Sequence, residues 1–365
     1  MIVIRIVLFV AFLLFALLFA YYNLESVKLS FLNYTYELPL FLLVFVSFIA
    51  GFLIAFFLGE IRGLGLRRYA ERVRRGLADL WRGYPSRAET EFSKILNREE
   101  VFPLFLKALK GQGRRPSGDL QRYSGGIAET ALAEEIFRED RDRAKDLLEK
   151  ALGKEWGNLR ARRLLRGLFF LEGEGEKALE LQRSLTSDCE RSLRDEERKV
   201  LASVLAEVEG ESALSELEKL PPTPVSLALL SSVPDQKRRR KNFSRSFGEG
   251  VHNEVLMILV ERNALTPEVV ELVEDNRDRF NPQVLALLYM DVGMYEKLED
   301  LKAELPEPIK LVVDLGTEGG AACQRSVRSL LRIWECLSCG REHRSYTPVC
   351  PGCLEWNKLR VKGGS

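Results

Sequence analysis

Histidine is nearly missing from this 365-residue chain, which has only His252 and His343. From Leu66 to Pro308 no His, Ser or Cys constellation of the kind nucleophilic or acid–base catalysis uses is present. A lone His252 there reads as structural. Cysteine is sparse too, and the six present are too few and too clustered for a disulfide framework. Cys189 and Cys323 stand alone and read as ordinary apolar thiols. An excess of either charge is also missing. A net charge of +1 argues against a chain basic throughout, such as a nucleic-acid coat, and no nucleic-acid partner is expected. Strand-like alternation is almost absent between Leu66 and Pro308. These absences point away from an enzyme.

Apolar length is what the N-terminus has in plenty. Ile6 to Tyr22 is an apolar run preceded by Arg5, and Leu38 to Gly59 is a second run of 22 residues without a charge. A helix of about 20 such residues crosses a bilayer. No small-x-small cleavage site follows the first run, and the second comes soon after. A two-helix transmembrane hairpin is therefore expected, with spans at about 4–22 and 38–59. The connection from Asn23 to Glu37 has Lys28 as its one basic residue, whereas Arg62, Arg67, Arg68, Arg72, Arg74 and Arg75 follow the second span. That bias predicts cytoplasmic N- and C-termini and an external loop. Tyr21, Tyr22, Tyr34 and Tyr36 fall where an interfacial aromatic belt lies. Ser47, Gly51, Ala55 and Gly59 make a small-residue stripe, with Ala16 and Ala20 on the first run. Gly and Ala are common in such helices in any case; where the stripe matters, it serves either packing within the hairpin or a partner helix, a second copy of the chain included.

The middle reads as short helices punctuated by Gly and Pro. Ala144-x3-Leu148-x2-Ala151 recurs 34 residues later as Ala178-x3-Gln182-x2-Leu185. It recurs again 35 residues on as Ala213-x3-Leu217-x2-Leu220. Gly76, Gly83-Tyr84 and Ala88-x3-Phe92 keep the same internal spacings upstream. A period near 34 with a small residue early in the second helix resembles the tetratricopeptide repeat. The stretch Gly111 to Gly126 breaks the register, and a non-repetitive helical domain is the alternative. An array of this kind binds another protein on its concave face. The run Lys237-Arg238-Arg239-Arg240-Lys241 reads as a solvated loop or inter-repeat turn, with contact to anionic lipid as the sharper alternative.

The tail carries Cys336-Leu337-Ser338-Cys339-Gly340 and, after ten intervening residues from Cys339, Cys350-Pro351-Gly352-Cys353. Two residues between cysteines let both thiolates converge on one ion, and Gly340 and Pro351-Gly352 supply turn chemistry. Four thiolates make a closed tetrahedral site for one metal ion, structural for zinc. Iron accepts the same set. Arg325, Arg328, Arg332, Arg341, Arg344, Lys358, Arg360 and Lys362 outnumber Glu335, Glu342 and Glu355. That basic balance favours a structural metal, zinc over iron, against electron transfer. His343 is a fifth ligand candidate that four cysteines make unnecessary.

This order of parts, membrane anchor, tetratricopeptide-like array and rubredoxin-like or zinc-ribbon tail, resembles the lipopolysaccharide assembly protein B (LapB, or YciM) family of Gram-negative bacteria. The likeness rests on Cys336, Cys339-Gly340, Cys350-Pro351, Cys353 and Trp356, and on the repeats. The first 75 residues look like the companion lipopolysaccharide assembly protein A (LapA) domain, through the loop Asn23-Leu24-Glu25-Ser26-Val27-Lys28-Leu29 and the basic exit. The expected organisation is a membrane hairpin at 1–75, helical repeats at 66–310 and a metal ribbon at 324–365. The resemblance implies a non-enzymatic adaptor in the bacterial cytoplasmic (inner) membrane that regulates lipid A synthesis. It would bring the deacetylase LpxC to the membrane protease FtsH, with the ribbon packed against the repeats. This chain departs from the family in having two spans, eroded repeats, and Leu354 where a glycine often follows the second knuckle. An adaptor for another envelope complex and a rubredoxin-like electron carrier are the alternatives.

Overall fold

The computed structural model describes residues 14–15, 17–23, 25–31, 34–114, 126–307, 309–311, 313–314 and 331–362. The chain divides into two compact units, Met1–Pro116 and Ser117–Ser365. The division falls inside the stretch where the sequence period lapses.

In the first unit the connection expected as a plain loop contains two strands. β1 (Ser26–Phe31) and β2 (Tyr34–Pro39) pair antiparallel, from Ser26 opposite Pro39 to Phe31 opposite Tyr34. Val, Thr and Tyr suit a pleated ribbon. Pro39 ends the strand, lacking an N–H for further pairing, and α1 (Leu40–Trp81) follows at once. The span expected from Leu38 thus begins two residues later, and the helix does not stop at Gly59. It runs on through Arg- and Leu-rich sequence with no proline to break it. Among the described residues α1 alone is long and apolar enough to cross a membrane. Residues 17–22 are helical, while most of the first apolar run, with Ala16 and Asn33, lies outside the described residues. A Cβ at Gly51 or Gly59 would meet nothing within 4 Å, so the stripe packs on nothing among the described residues. Farther along α1, Gly76 does have a packing role. A Cβ there would lie 2.5 Å from the Phe92 ring of α2 (Pro85–Ser93). α3 (Phe102–Gly111) completes the unit.

The second unit begins with helices packed in pairs: α4 (Gly126–Ile136) with α5 (Arg141–Lys154), and α6 (Leu159–Leu171) with α7 (Gly175–Asp188). α8 (Arg194–Val208) with α9 (Leu214–Leu217), and α10 (Pro224–Ser231) with α11 (Gln236–Gly248), follow. α12 (His252–Glu261) and α13 (Pro267–Asp275) precede α14 (Pro282–Val292) and α15 (Tyr295–Leu301). Alternate helices α8, α10, α12 and α14 stack in one row, and α11 packs on α13 in the other. First helices begin at 126, 159, 194, 224, 252 and 282, so the spacing falls from 33–35 residues to 28–30. That shortening is why self-comparison loses the period after Leu220. Ala144, Ala178 and Ala213 occupy matching places at the start of the second helical segment, all buried.

The basic run is not a loop. Asp235 caps α11 by accepting from the Arg238 N–H at 2.9 Å, and the run forms the helix's first turns. Arg239 pairs with Glu268 at 3.0 Å, and Arg240 with Glu271 at 3.4 Å and Asp275 at 3.7 Å, all on α13. Two of its five charges therefore cross-link neighbouring helices. His252 packs between Phe247 and Phe280 and bonds the Arg279 carbonyl at 2.7 Å, a structural role. Cys189 is buried; Cys323 lies outside the described residues.

Candidate metal centre

Three short strands carry the tail: β3 (Trp334–Cys336) at the centre, flanked antiparallel by β4 (Glu342–His343) and β5 (Leu359–Val361). Each cysteine pair sits on a knuckle closed in the same way. The Gly340 N–H donates to the Cys336 carbonyl at 2.8 Å, and the Leu354 N–H to the Cys350 carbonyl at 2.8 Å. Both closing residues are left-handed, Gly340 at φ 65° and Leu354 at φ 58°. Glycine adopts that conformation freely, whereas leucine is strained in it.

The knuckles bring Cys336, Cys339, Cys350 and Cys353 together with all four sulfurs within 4.8 Å of one another. Cys336 Sγ lies 3.7 Å from Cys353 Sγ, and Cys339 Sγ 3.7 Å from Cys350 Sγ. A tetrahedron with metal–sulfur bonds of about 2.3 Å has edges of about 3.8 Å. The donor set therefore fits one tetrahedral ion. The protonation chemistry agrees with the geometry. Burial pushes the Cys350 thiol up to about 11 and raises Cys353 as well, and neighbouring cysteines add to both. At Cys339 burial works in the same direction, but the Arg341 N–H and the other sulfurs outweigh it and lower its pKa. Crowded thiols hold their protons unless a cation replaces them, and a coordinating thiol is deprotonated outright. The Gly352 N–H donates to Cys350 Sγ at 3.4 Å. His343 Nε2 approaches the same sulfur at 3.4 Å, so it is placed to bond a ligand atom rather than complete the set. Burial and the Arg341 charge lower the His343 pKa.

The ribbon is fused to the helices. One continuous apolar core holds Trp334, Cys336, Val349, Cys350, Trp356, Leu359 and Val361 with residues of α8, α10, α12 and α14. Leu354 joins the core of α4 to α7 instead. Gly167 on α6 makes room for it: a Cβ there would lie 3.4 Å from Leu354 Cβ and Cδ2. Trp356 meets Phe170 edge-on at 5.1 Å and lies under the Arg166 guanidinium at 4.9 Å. Glu261, the last residue of α12, holds the ribbon with both carboxylate oxygens. Trp334 Nε1–H donates to one at 2.5 Å and the Tyr346 N–H to the other at 2.9 Å. Asn281 Nδ2 donates to the Lys362 carbonyl at 3.1 Å, and Ser203 Oγ to Asn357 Oδ1 at 2.6 Å. The family resemblance implied a ribbon packed on the helices, but none of these individual contacts was legible in the sequence, because each joins positions far apart along the chain.

Residues 22–82 match the family described as the lipopolysaccharide assembly protein A domain. The match takes in the β1–β2 hairpin and the whole of α1. The helix pairs and the ribbon lie outside it. No curated protein matches the chain. Together with α1, the one helix among the described residues that is long and apolar enough to cross a bilayer, the match points to a membrane protein whose N-terminal part is similar to the lipopolysaccharide assembly protein A domain.

Proposed function

We propose that this protein is a membrane-anchored adaptor that regulates lipopolysaccharide synthesis by presenting a lipid A enzyme to a membrane protease. The observation that carries this is the fusion of a four-cysteine ribbon into the core of stacked helix pairs, behind an N-terminal domain of the lipopolysaccharide assembly A type. A closed thiolate site inside a shared core is suited to holding shape, and stacked helix pairs are suited to gripping protein. Successive helix pairs, three of them with a buried alanine at a matching place (Ala144, Ala178 and Ala213), support a shortened tetratricopeptide-like array. Zinc is the proposed ion. The arginines that follow the apolar part of α1 support a cytoplasmic C-terminus, and the proposed arrangement is two spans in the inner membrane with the N-terminus cytoplasmic as well.

By its resemblance to the LapB family the proposed clients are LpxC and FtsH. Affinity capture of the tagged chain from native membranes tests this: both proteins should co-purify, and less so with Cys336→Ser. Recovery of an envelope complex lacking any lipid A enzyme overturns the proposal in favour of another scaffold. Reporter fusions before Met1 and after Ser365 should be cytoplasmic, and one near Asn33 external. Solvent exposure of Cys339 favours a second reading, electron transfer through a rubredoxin-like iron site. A colourless protein with stoichiometric zinc rejects it.

A further inference from the structure

The β1–β2 hairpin has a composition that the adaptor function does not use. Facing residues in an antiparallel pair belong to one face of the ribbon, and the faces alternate along each strand. The register puts Val27 with Leu38, Leu29 with Tyr36, and Phe31 with Tyr34. Every residue of that face is apolar or aromatic. The opposite face takes Ser26 with Pro39, Lys28 with Glu37, and Ser30 with Thr35. Its Lys28–Glu37 pair closes at 3.1 Å and stands open to solvent.

We propose that this hairpin lies flat on the bilayer, with the face that carries Val27 and Leu38 against lipid at the headgroup–acyl boundary and the Lys28–Glu37 face toward water. Four observations carry it. A two-stranded hairpin alone in water is at best marginally stable, so its apolar face needs cover. Val27 is exposed, so nothing described in this chain covers it there. The cover at hand is the membrane. Pro39 runs directly into α1, whose N-terminal stretch is the apolar span, and the Leu40 N–H donates to the Glu25 carbonyl at 2.9 Å. The base of the hairpin is thereby tied to the end of the membrane helix. Tyr21 and Tyr22, also exposed and in edge-on contact at 5.2 Å, come just before the hairpin in the chain, residue types that aromatic belts use. Depth follows from the backbone. The sheet has only these two strands among the described residues, and open strand edges are not tolerated in hydrocarbon. The hairpin therefore stays at the interface, as amphipathic surface helices do.

The test uses the full chain in nanodiscs of phosphatidylethanolamine and phosphatidylglycerol. An environment-sensitive fluorescent amino acid is placed singly at 27, 28, 29, 30, 37 and 38. Positions 27, 29 and 38 should emit to the blue, be quenched by lipids brominated in the acyl chain, and resist aqueous iodide. Positions 28, 30 and 37 should do the reverse. Loss of the alternation, or quenching of every position by iodide, overturns the proposal. Shielding of 27, 29 and 38 from both quenchers also overturns it and assigns the face to protein. Repeating the measurement at one copy per disc identifies a second copy as that protein if iodide then reaches the face. Because labels at 28 and 37 leave the apolar face unchanged, their iodide access reads the fold even where an apolar-face label disturbs it.

Discussion

Leu354→Gly sets two opposed effects of known size against each other. At φ 58° the leucine carries left-handed strain, about 1–2 kcal/mol, which glycine would remove. The same side chain is only 6% exposed and packs over Gly167. Truncating a buried leucine costs about 2–5 kcal/mol in transfer and cavity terms. Burial outweighs strain over nearly all of these ranges, so the variant should be less stable by up to about 4 kcal/mol, with about 2 kcal/mol as the midpoint. Tryptophan emission reads the site well. Trp334 and Trp356 are 0% and 5% exposed in the ribbon, whereas Trp81 and Trp156 are already 91% and 57% exposed. The urea midpoint of the red shift should fall, and metal should leave at a lower urea concentration. A midpoint that rises would show that strain exceeds docking and that the ribbon does not depend on α6. Gly167→Leu should be destabilising for the complementary reason, since it fills the space Leu354 occupies. The two changes together should cost less than their sum, because neighbours in contact couple.

Cys336→Ser should lose the ion, measured by metal analysis. Because the ribbon shares its core with the helices, amide exchange should then rise in α8 and α12 as well as in β3. Glu197 accepts from Arg163 at 2.6 Å and Arg166 at 3.1 Å, and Arg166 is buried. Glu197→Gln leaves that guanidinium without its charge partner, at a cost of about 3–5 kcal/mol in a denaturation midpoint. Burial works to raise the Glu197 pKa, but Arg166, Gln182 and Arg163 outweigh it and the net shift is downward. Its stabilisation is thus present above the unfolded carboxylate range near about 4.3 and is lost as pH falls through the lower folded value. Wild type should show that acid loss and Glu197→Gln should lack it. Ala178→Leu, at a fully buried position, should cost about 1–3 kcal/mol by overpacking, read by thermal melting.

Local signals were legible and distant ones were not. The apolar run after Leu38, the two C-x-x-C knuckles and the early helix pairs are each set by residues within a few turns of one another, so spacing reveals them. β1 and β2 were missed because the connection is short and its Tyr residues fit an aromatic belt as well as a strand. Alternation over Val27, Leu29 and Phe31 was the available signal. The basic run at 237–241 was misplaced because charge density suggests solvent, whereas Asp235 before it is a helix cap. Its partners Glu268 and Glu271 belong to another helix pair, which no local window reveals.

The ribbon's attachment shows why a site can be identified without its role being understood. Cys336, Cys339, Cys350 and Cys353 declare a metal through their spacing alone, and that spacing would be the same in a free ribbon. Docking is set by single residues with no motif: Gly167 inside a helix, where glycine costs about 1 kcal/mol against alanine, and Leu354 where glycine would relieve strain. Each is locally unfavourable, and the two meet in space: a Cβ on Gly167 would stand 3.4 Å from the leucine, at the near limit of ordinary contact, so a longer side chain there would collide with it. The leucine's strain is offset by its buried contact. A pair of locally poor choices that meet in space indicates an interface under structural constraint. It ties the knuckle of Cys353 to α6, as Glu261 ties β3 to α12. The four-cysteine ribbon therefore meets helices from separate pairs, which is how, in the proposed adaptor, loss of an ion would alter a binding surface with no metal ligand in it.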